Sequence, residues 1–472
     1  MVNIIVEMAK YVIILLMAAY TFSCFSIFLQ KEERDEKRVL LRQNFLMFGV
    51  HFMAYAVLYL KIREERMVLF YMAQVVFLAA VVVLNNVIYP NVSRLVVNNM
   101  CMLLCIGFIV IGRLSFTSAV KQFVFAVLGA SIGLVVPVII RKMKILVDMT
   151  YVYAAIGFLA LAVVAVFAVS SGGAKLGFEI AGFGIQPSEF VKILFVFFVA
   201  SSLRGDTGFK RVVTTTVIAA AHVLILVLST DLGAALIFFV VYLVMLYVAT
   251  RQPLYAVAGL GAGSAAAVAG YHLFSHIKVR VSIWQDPFAS YSEGGYQIAQ
   301  SLFAIGTGGW FGMGLCQGSP ELIPVRETDF VFAAISEELG LIFALCLILV
   351  CVSCYVMFLN IAMEIRNQFY KLVALGLGTC YIFQVFLTIG GVTKFIPMTG
   401  VTLPLVSYGG SSLLSTMIMF GIIQGLYIIR EDEEKKNRTR ERRGNHGVGR
   451  TADRKAQKAK GSFEEVPKQR IR

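Results

Sequence analysis

The chain has 472 residues, 58% of them hydrophobic and 15% charged, with a net charge of +14 and a mean hydropathy of +0.79. A soluble domain carries about 45–50% apolar and about 25% charged residues, and here the apolar residues come in runs of about 20, the length that crosses about 30 Å of hydrocarbon. This excludes a soluble enzyme, a secreted disulfide scaffold and a disordered chain, and it predicts an all-α polytopic membrane protein.

About thirteen transmembrane helices are expected, near 8–29, 44–60, 67–89, 95–112, 118–140, 150–169, 188–203, 211–229, 231–249, 254–274, 337–360, 369–391 and 408–429. Residues 1–29 read as a span and not as a cleaved leader, because Glu7 and Lys10 interrupt the start and no A-x-A site follows. Basic residues cluster at 31–42, 141–144, 204–211, 366–371 and after 430. The positive-inside rule makes those loops and the C-terminus cytoplasmic and the N-terminus external. One loop dissents: Lys61, Arg63 and Arg66 fall outside, diluted by Glu64 and Glu65. The chain divides into a three-helix N-terminal membrane segment (1–90), a core (95–429) and a basic tail (430–472). The tail holds 15 Lys/Arg against 8 Asp/Glu and few large apolar residues, so disorder is expected there. An anchor beside anionic lipid accounts for its charge without nucleic acid. The stretch 275–336 faces outward, and its Trp284, Trp310, Phe288, Tyr291 and Tyr296 suggest an ordered, partly interfacial loop. The eight cysteines sit almost entirely inside apolar runs, where packing explains them better than redox chemistry.

Several segments carry polar residues that could do chemistry. In GIQPSEFVKIL, Pro187 suits a first helical position, Gln186 and Glu189 have capping-box spacing, and Glu189 and Lys192 can pair three residues apart. A structural helix start accounts for all of this, but Lys192 runs into a Phe- and Val-rich span and demands an anion. Asp231, at the start of another span, is either a cap or a site. The glycines of AIGTGGWFGMGL form neither a Walker loop nor a dinucleotide fingerprint. Asp329 in PVRETDFVFAAISEELG would sit at the outer mouth of a helix running from Thr328 into the next span. There it shares a face with Ala333 and Ser336, as an N-capping acid or as a single general base. Glu337, about 12 Å further along the axis, is too distant to act with it on one sugar. In PLVSYGGSSLL, Ser411 and Ser412 start a helix whose free N–H groups could hold a phosphate, or whose glycines could only admit close packing. The histidines show no ligand spacing.

Taken in order, six segments resemble the SEDS family (shape, elongation, division and sporulation), the bacterial FtsW, RodA and SpoVE proteins. They are GAK at 173–175, QPSEFVK at 186–192, DLGAAL at 231–236, GGYQIAQSLFAIGTGG at 294–309, TDFVFAAISEELG at 328–340 and PMTGVTLPLVSYGGSSLL at 397–414. The resemblance implies a ten-span core, to which this chain adds three N-terminal helices, and a peptidoglycan glycosyltransferase that polymerises lipid II at the outer face of the bacterial cytoplasmic membrane, in division, elongation or sporulation. It puts the family's essential loop aspartate on Asp329 and the QPSE glutamate and following lysine on Glu189 and Lys192. Lys175 is followed by Leu176 and Gly177 where the family has a second basic residue and Trp, and Thr402 stands where the family has proline.

The chemistry so implied is a single inverting displacement with Asp329 as base, and cations must face the pyrophosphate that leaves. Lys175, Lys192, Arg280, Arg326 and Lys394 are the outer-face candidates, with Ser411 and Ser412 as further substrate contacts; a divalent cation (Mg or Mn) could share the task. The implied partners are lipid II, membrane lipids and a class B penicillin-binding protein transpeptidase. The alternative reading is a lipid II flippase, which broken helices and intramembrane Asp and Lys would also suit, although the acid site lies at one face and no inverted repeat is visible.

Overall fold

A computed structural model describes residues 2–461 apart from Lys31, Val169, Gly172, Gly173, Leu176, Ala181, Gly182 and Asp206. The backbone alone is described at Val2, Asn3, Lys144, Ser170, Ser171, Ala174, Lys175, Ile180, Phe183, Glu293 and 437–461.

Uninterrupted apolar sequence dictates helix here, because hydrocarbon offers no partner to a free backbone N–H or C=O. The N-terminal segment forms α1 (Val2–Ser26), α2 (Glu33–Ile62) and α3 (Glu65–Ile88). The core follows with α4 (Arg94–Leu114), α5 (Phe116–Lys142) and α6 (Thr150–Phe167). Two short antiparallel hairpins then pair β1 (Ser170–Ser171) with β2 (Ala174–Lys175) and β3 (Phe178–Ile180) with β4 (Phe183–Ile185). Beyond them run α7 (Pro187–Leu203), α8 (Phe209–Leu228), α9 (Leu232–Thr250) and α10 (Pro253–Leu273). The chain continues through α11 (Ser275–Gln285), α12 (Gly295–Gly308), α13 (Val331–Glu364), α14 (Gln368–Val392) and α15 (Gly410–Gly461). Local chemistry marks several starts: Ser115, Asp231 and Asn367 each accept a backbone N–H at the head of α5, α9 and α14, and Pro187 and Pro253 open α7 and α10.

Among the described residues twelve helices are long and apolar enough to cross a membrane. The thirteenth expected span is α7, which has 17 residues, about 26 Å of helix, and is enclosed by α6, α8, α9, α14 and α15. The protein is therefore an all-α, multi-pass membrane protein. The stretch 275–336 holds α11 and α12. All eight cysteines are free, and Cys351 and Cys354 are buried in α13.

Two local expectations need correction. Helix α13 starts at Val331, not Thr328, and it is broken at Gly340 (φ 82°, ψ 170°). Asp329 therefore precedes the helix and does not share a face with Ala333 and Ser336. The Gln186–Glu189 capping box does not form: Gln186 makes no side-chain cap, because both side chains are engaged elsewhere. The backbone of α15 continues past the apolar stretch to Gly461. Its first turns past the apolar stretch are tied to neighbouring helix ends by Arg141–Asp432 (2.8 Å) and Arg430–Glu364 (2.6 Å).

Although the sequence separates 1–90 from 95–429, the two pack as one body. Leu95 through Gly112 of α4 are all buried, between α2 and α3 on one side and α5 and α13 on the other. A polar seam runs through the contact: Tyr20 donates to Asn99 (3.0 Å), Asn99 to Ser353 (3.1 Å) and Asn98 to Gln43 (3.0 Å). Hydrogen bonds of this kind tie helices together where lipid offers no hydrophobic drive.

Candidate active site

The starts of α7, α9 and α15 meet the 400–402 segment around a cleft of about 100 Å³, lined among others by Glu189, Lys192, Asp231, Gly400, Ser411 and Ser412. Each helix start contributes a polar side chain, which the others hold in place.

On α7, the Lys192 ammonium donates to Glu189 Oε2 (2.5 Å) and to Gln384 Oε1 of α14 (2.7 Å). Glu189 Oε2 also accepts from Ser415 of α15 (3.0 Å). The anion that Lys192 demands is thus Glu189, one turn away, and Glu189 is not free to cap the helix. Gln384 in turn donates to Thr402 O (3.0 Å) and Ser412 Oγ (3.2 Å). Thr402, where the resembled family has proline, donates its hydroxyl to the same Ser412 oxygen (2.8 Å). Gln186 spends its N–H on Ser411 Oγ (2.9 Å), and Ser411 donates onward to Gly184 O (3.2 Å). Both serines brace the cleft wall with their hydroxyls, while the first N–H groups of α15, orphaned by helix geometry, border the cleft.

Asp231 both caps its helix and belongs to the site. Its carboxylate accepts from Ala234 N–H (3.1 Å), Ser188 Oγ (3.0 Å) and Gln186 Nε2 (3.2 Å), clamping the heads of α7 and α9 together. Burial pushes its carboxyl above the usual range, against those three donors, and the neighbouring Glu189 adds to the rise.

Asp329 lies at the edge of this cleft. Gly400 has a left-handed backbone (φ +73°), and a Cβ there would begin 3.7 Å from Asp329 Oδ2. The turn carrying Asp329 is fixed by Ser407, which donates to Thr328 O (2.6 Å), and by Tyr408 N–H, which donates to Glu327 O (2.8 Å). Burial raises the Asp329 carboxyl above the ordinary aspartate range, opposed by a hydrogen bond from Thr328 and by the charge of Arg280. Arg280, on α11, donates to Met398 O (2.9 Å). Burial lowers it below the usual arginine range, while Asp231 and Asp329 pull it back up. The charge of this one guanidinium is therefore coupled to both carboxylates. A carboxyl held above its ordinary range, beside a cation, is an arrangement suited to acid–base chemistry on an anionic substrate.

The structure thus brings together Asp329, Glu189, Lys192, Arg280, Ser411 and Ser412. It does not bring Lys394 to the cleft: this half-buried residue (φ 59°) ends α14, and its carbonyl accepts from Trp284 Nε1 (3.2 Å). The side chain of Lys175 and the whole of Gly173 lie outside the described residues. Arg326 donates to Glu321 O (3.3 Å) on the loop surface. Among the described residues no three His, Cys, Asp or Glu side chains converge. Sequence reading missed Gln384 and Ser415. For Gln384 a signal existed, as an amide in the apolar run YIFQVFL. It also missed the partly buried ion pair of Arg113 with Glu338 (3.1 Å), whose partners are 225 residues apart in the chain.

A family model described as "Cell cycle protein", covering FtsW, RodA and SpoVE proteins, matches residues 93–431. Peptidoglycan glycosyltransferase RodA of Mycobacterium tuberculosis is 36% identical over 332 residues, 66% of this chain and 71% of that protein. Stage V sporulation protein E of Bacillus subtilis is 34% identical over 262 residues, 53% of this chain and 70% of that protein. Among solved structures, a chain of a peptidoglycan synthase complex superposes with a TM-score of 0.62 at 24% identity, over 72% of this chain and 98% of that one. Thermus thermophilus RodA superposes with a TM-score of 0.52 at 23% identity, over 71% and 96%. These two likenesses concern the fold.

Proposed function

The chain belongs to the FtsW, RodA and SpoVE family and is a peptidoglycan glycosyltransferase, and we propose that it joins lipid II units by inverting transfer with Asp329 as the general base. The acceptor's GlcNAc 4-hydroxyl attacks C1 of the donor MurNAc, the C1–oxygen bond to the lipid pyrophosphate breaks, and the hydroxyl proton passes to the Asp329 carboxylate. One base suffices because a single displacement has one proton to remove. The pyrophosphate carries the charge away, and Lys192 and Arg280 are the cations nearest the cleft to meet it. Among the described residues Glu189 and Gln384 account for two of the three Lys192 ammonium hydrogens, leaving one for a phosphate oxygen.

The observation that carries this reading is the position of Asp329 against Gly400, at the rim of a cleft whose wall holds the Glu189–Lys192 pair. A lipid substrate also explains why the catalyst is a helix bundle, since two polyprenyl tails need membrane beside the site. The reading places the cleft at the outer face of the cytoplasmic membrane, the N-terminus outside and the tail inside, and it pairs the chain with a class B penicillin-binding protein that cross-links the new strands. The test is reconstitution in vesicles with labelled lipid II and that transpeptidase. Glycan chains resolved on a gel support the polymerase. Lipid II that changes leaflet without lengthening would replace it with the flippase.

A further inference from the structure

Helix α13 is two helices end to end. At Gly340 the backbone leaves helical space, so Val331–Leu339 is a separate half-helix that begins two residues after Asp329. Its last carbonyls and the first N–H groups of the second half have no partner within the helix. The Gly-rich loop after α12 supplies them. Met313 and Gly314 donate to Glu337 O and Glu338 O (2.8 and 2.9 Å), and Leu341 and Ile342 donate to Gly309 O and Trp310 O (2.9 and 3.2 Å). The fit leaves no room for a side chain: a Cβ on Gly312 (φ +74°) would lie 2.4 Å from Glu338 O. The loop therefore sets where the half-helix stands, and with it Asp329.

The other side of that loop rests on the N-terminal segment. Lys10 of α1 donates to Gly312 O (3.3 Å) and pairs with Glu7 (2.5 Å), and the Tyr11 ring packs on Phe311 with centroids 5.6 Å apart. Lys10 is only 9% exposed, a costly place for an ammonium inside a membrane span. A second strut comes through α4, which α2 and α3 help to enclose: its Arg113 holds Glu338 of the same half-helix (3.1 Å).

We infer that the three N-terminal helices, which precede the family-matched region, act in cis as a brace for the active-site loop, with Lys10 and Tyr11 as positioning residues that reach Asp329 through the 309–314 loop and the half-helix. This rests on the reading of Asp329 as the base, so its test must be able to fail separately from that reading.

The experiment uses the full chain with labelled lipid II and compares Lys10→Met, Lys10→Arg, Tyr11→Ala and Asp329→Asn. Lys10→Met is expected to lower kcat for chain formation about five- to tenfold, the loss of part of one charge-assisted hydrogen bond. KM and the thermal midpoint stay unchanged, and amide hydrogen exchange at Met313, Gly314, Leu341 and Ile342 quickens. Lys10→Arg restores the rate, and Tyr11→Ala reproduces the defect if Lys10→Met fails to fold. An unchanged kcat with quickened exchange would overturn the inference, as would a rate loss tracked by an equal loss of folded protein in both variants. Chain synthesis retained by Asp329→Asn would remove the base, while the kcat comparison among the Lys10 variants would still decide the brace.

Discussion

Replacing Lys192 by methionine tests how the cleft wall is held. The ammonium lies 2.5 Å from Glu189 Oε2, with the two side chains 4% and 12% exposed. At an effective dielectric near 20 their attraction is about 7 kcal/mol, and desolvation costs several kcal/mol for each ion. The pair is therefore worth little net, yet removing one partner strands the other. Lys192→Met leaves Glu189 with the Ser415 hydroxyl alone and is expected to destabilise the protein by about 3–5 kcal/mol. Removing both charges in Glu189→Gln/Lys192→Met is expected to cost only about 1 kcal/mol, because no unpaired ion remains. Thermal unfolding in detergent, followed with a thiol-reactive dye, suits the measurement because seven of the eight free cysteines are buried. The double variant should fold like the wild type and still make no glycan, since the ammonium proposed to meet the pyrophosphate is gone. A double variant as unstable as the sum of the two single ones would refute the coupling. One that polymerises at the wild-type rate would remove Lys192 from the reaction.

Other expectations follow from the same geometry. Because burial holds Asp329 above the ordinary aspartate range, the polymerisation rate should climb with pH through that raised value. Arg280→Met, which removes an opposing positive charge, should move this acid limb to higher pH in a rate–pH profile; an unmoved limb would exclude the contact. A raised folded-state carboxyl also weakens the fold above the unfolded aspartate pKa, and the penalty is relieved as pH falls, so Asp329→Asn at neutral pH should melt no lower than wild type. Asp231→Ala leaves Ser188, Gln186 and Ala234 without their shared acceptor, costing about 1–2 kcal/mol for the cap and slowing chain formation; calorimetry and the gel assay read the two effects separately. Arg113→Met should destabilise by about 3–5 kcal/mol by stranding buried Glu338, and Glu338→Gln in the same chain should recover most of it.

Much of this was legible in the residues. Long apolar runs announce helices because hydrocarbon allows little else, and QPSEFVK, TDF and YGGSS marked Glu189, Lys192, Asp329, Ser411 and Ser412 before any packing was known. What the sequence withheld depends on contacts distant in the chain. Gln186 has the spacing of a capping residue, but Asp231 claims its amide and Ser411 its N–H. Gly340 reads as one more glycine in a membrane run until the 309–314 loop is seen to complete the broken hydrogen bonds around it. Lys394 carries the right charge near the right loop, yet it follows the end of α14 and does not line the cleft. The first three helices look dispensable to the motifs, and only their packing on α4, α13 and Gly312 gives them a role.

The most direct measurement is a gel-resolved polymerisation assay in which purified wild type and Asp329→Asn receive labelled lipid II, with the transpeptidase partner present and absent. Long glycan chains from the wild type, and none from a variant with an unchanged thermal midpoint, are the predicted result. Chains of normal length from Asp329→Asn would contradict it and move the base elsewhere, with Glu327, which accepts from Ser118 at 2.5 Å, the next carboxylate to test.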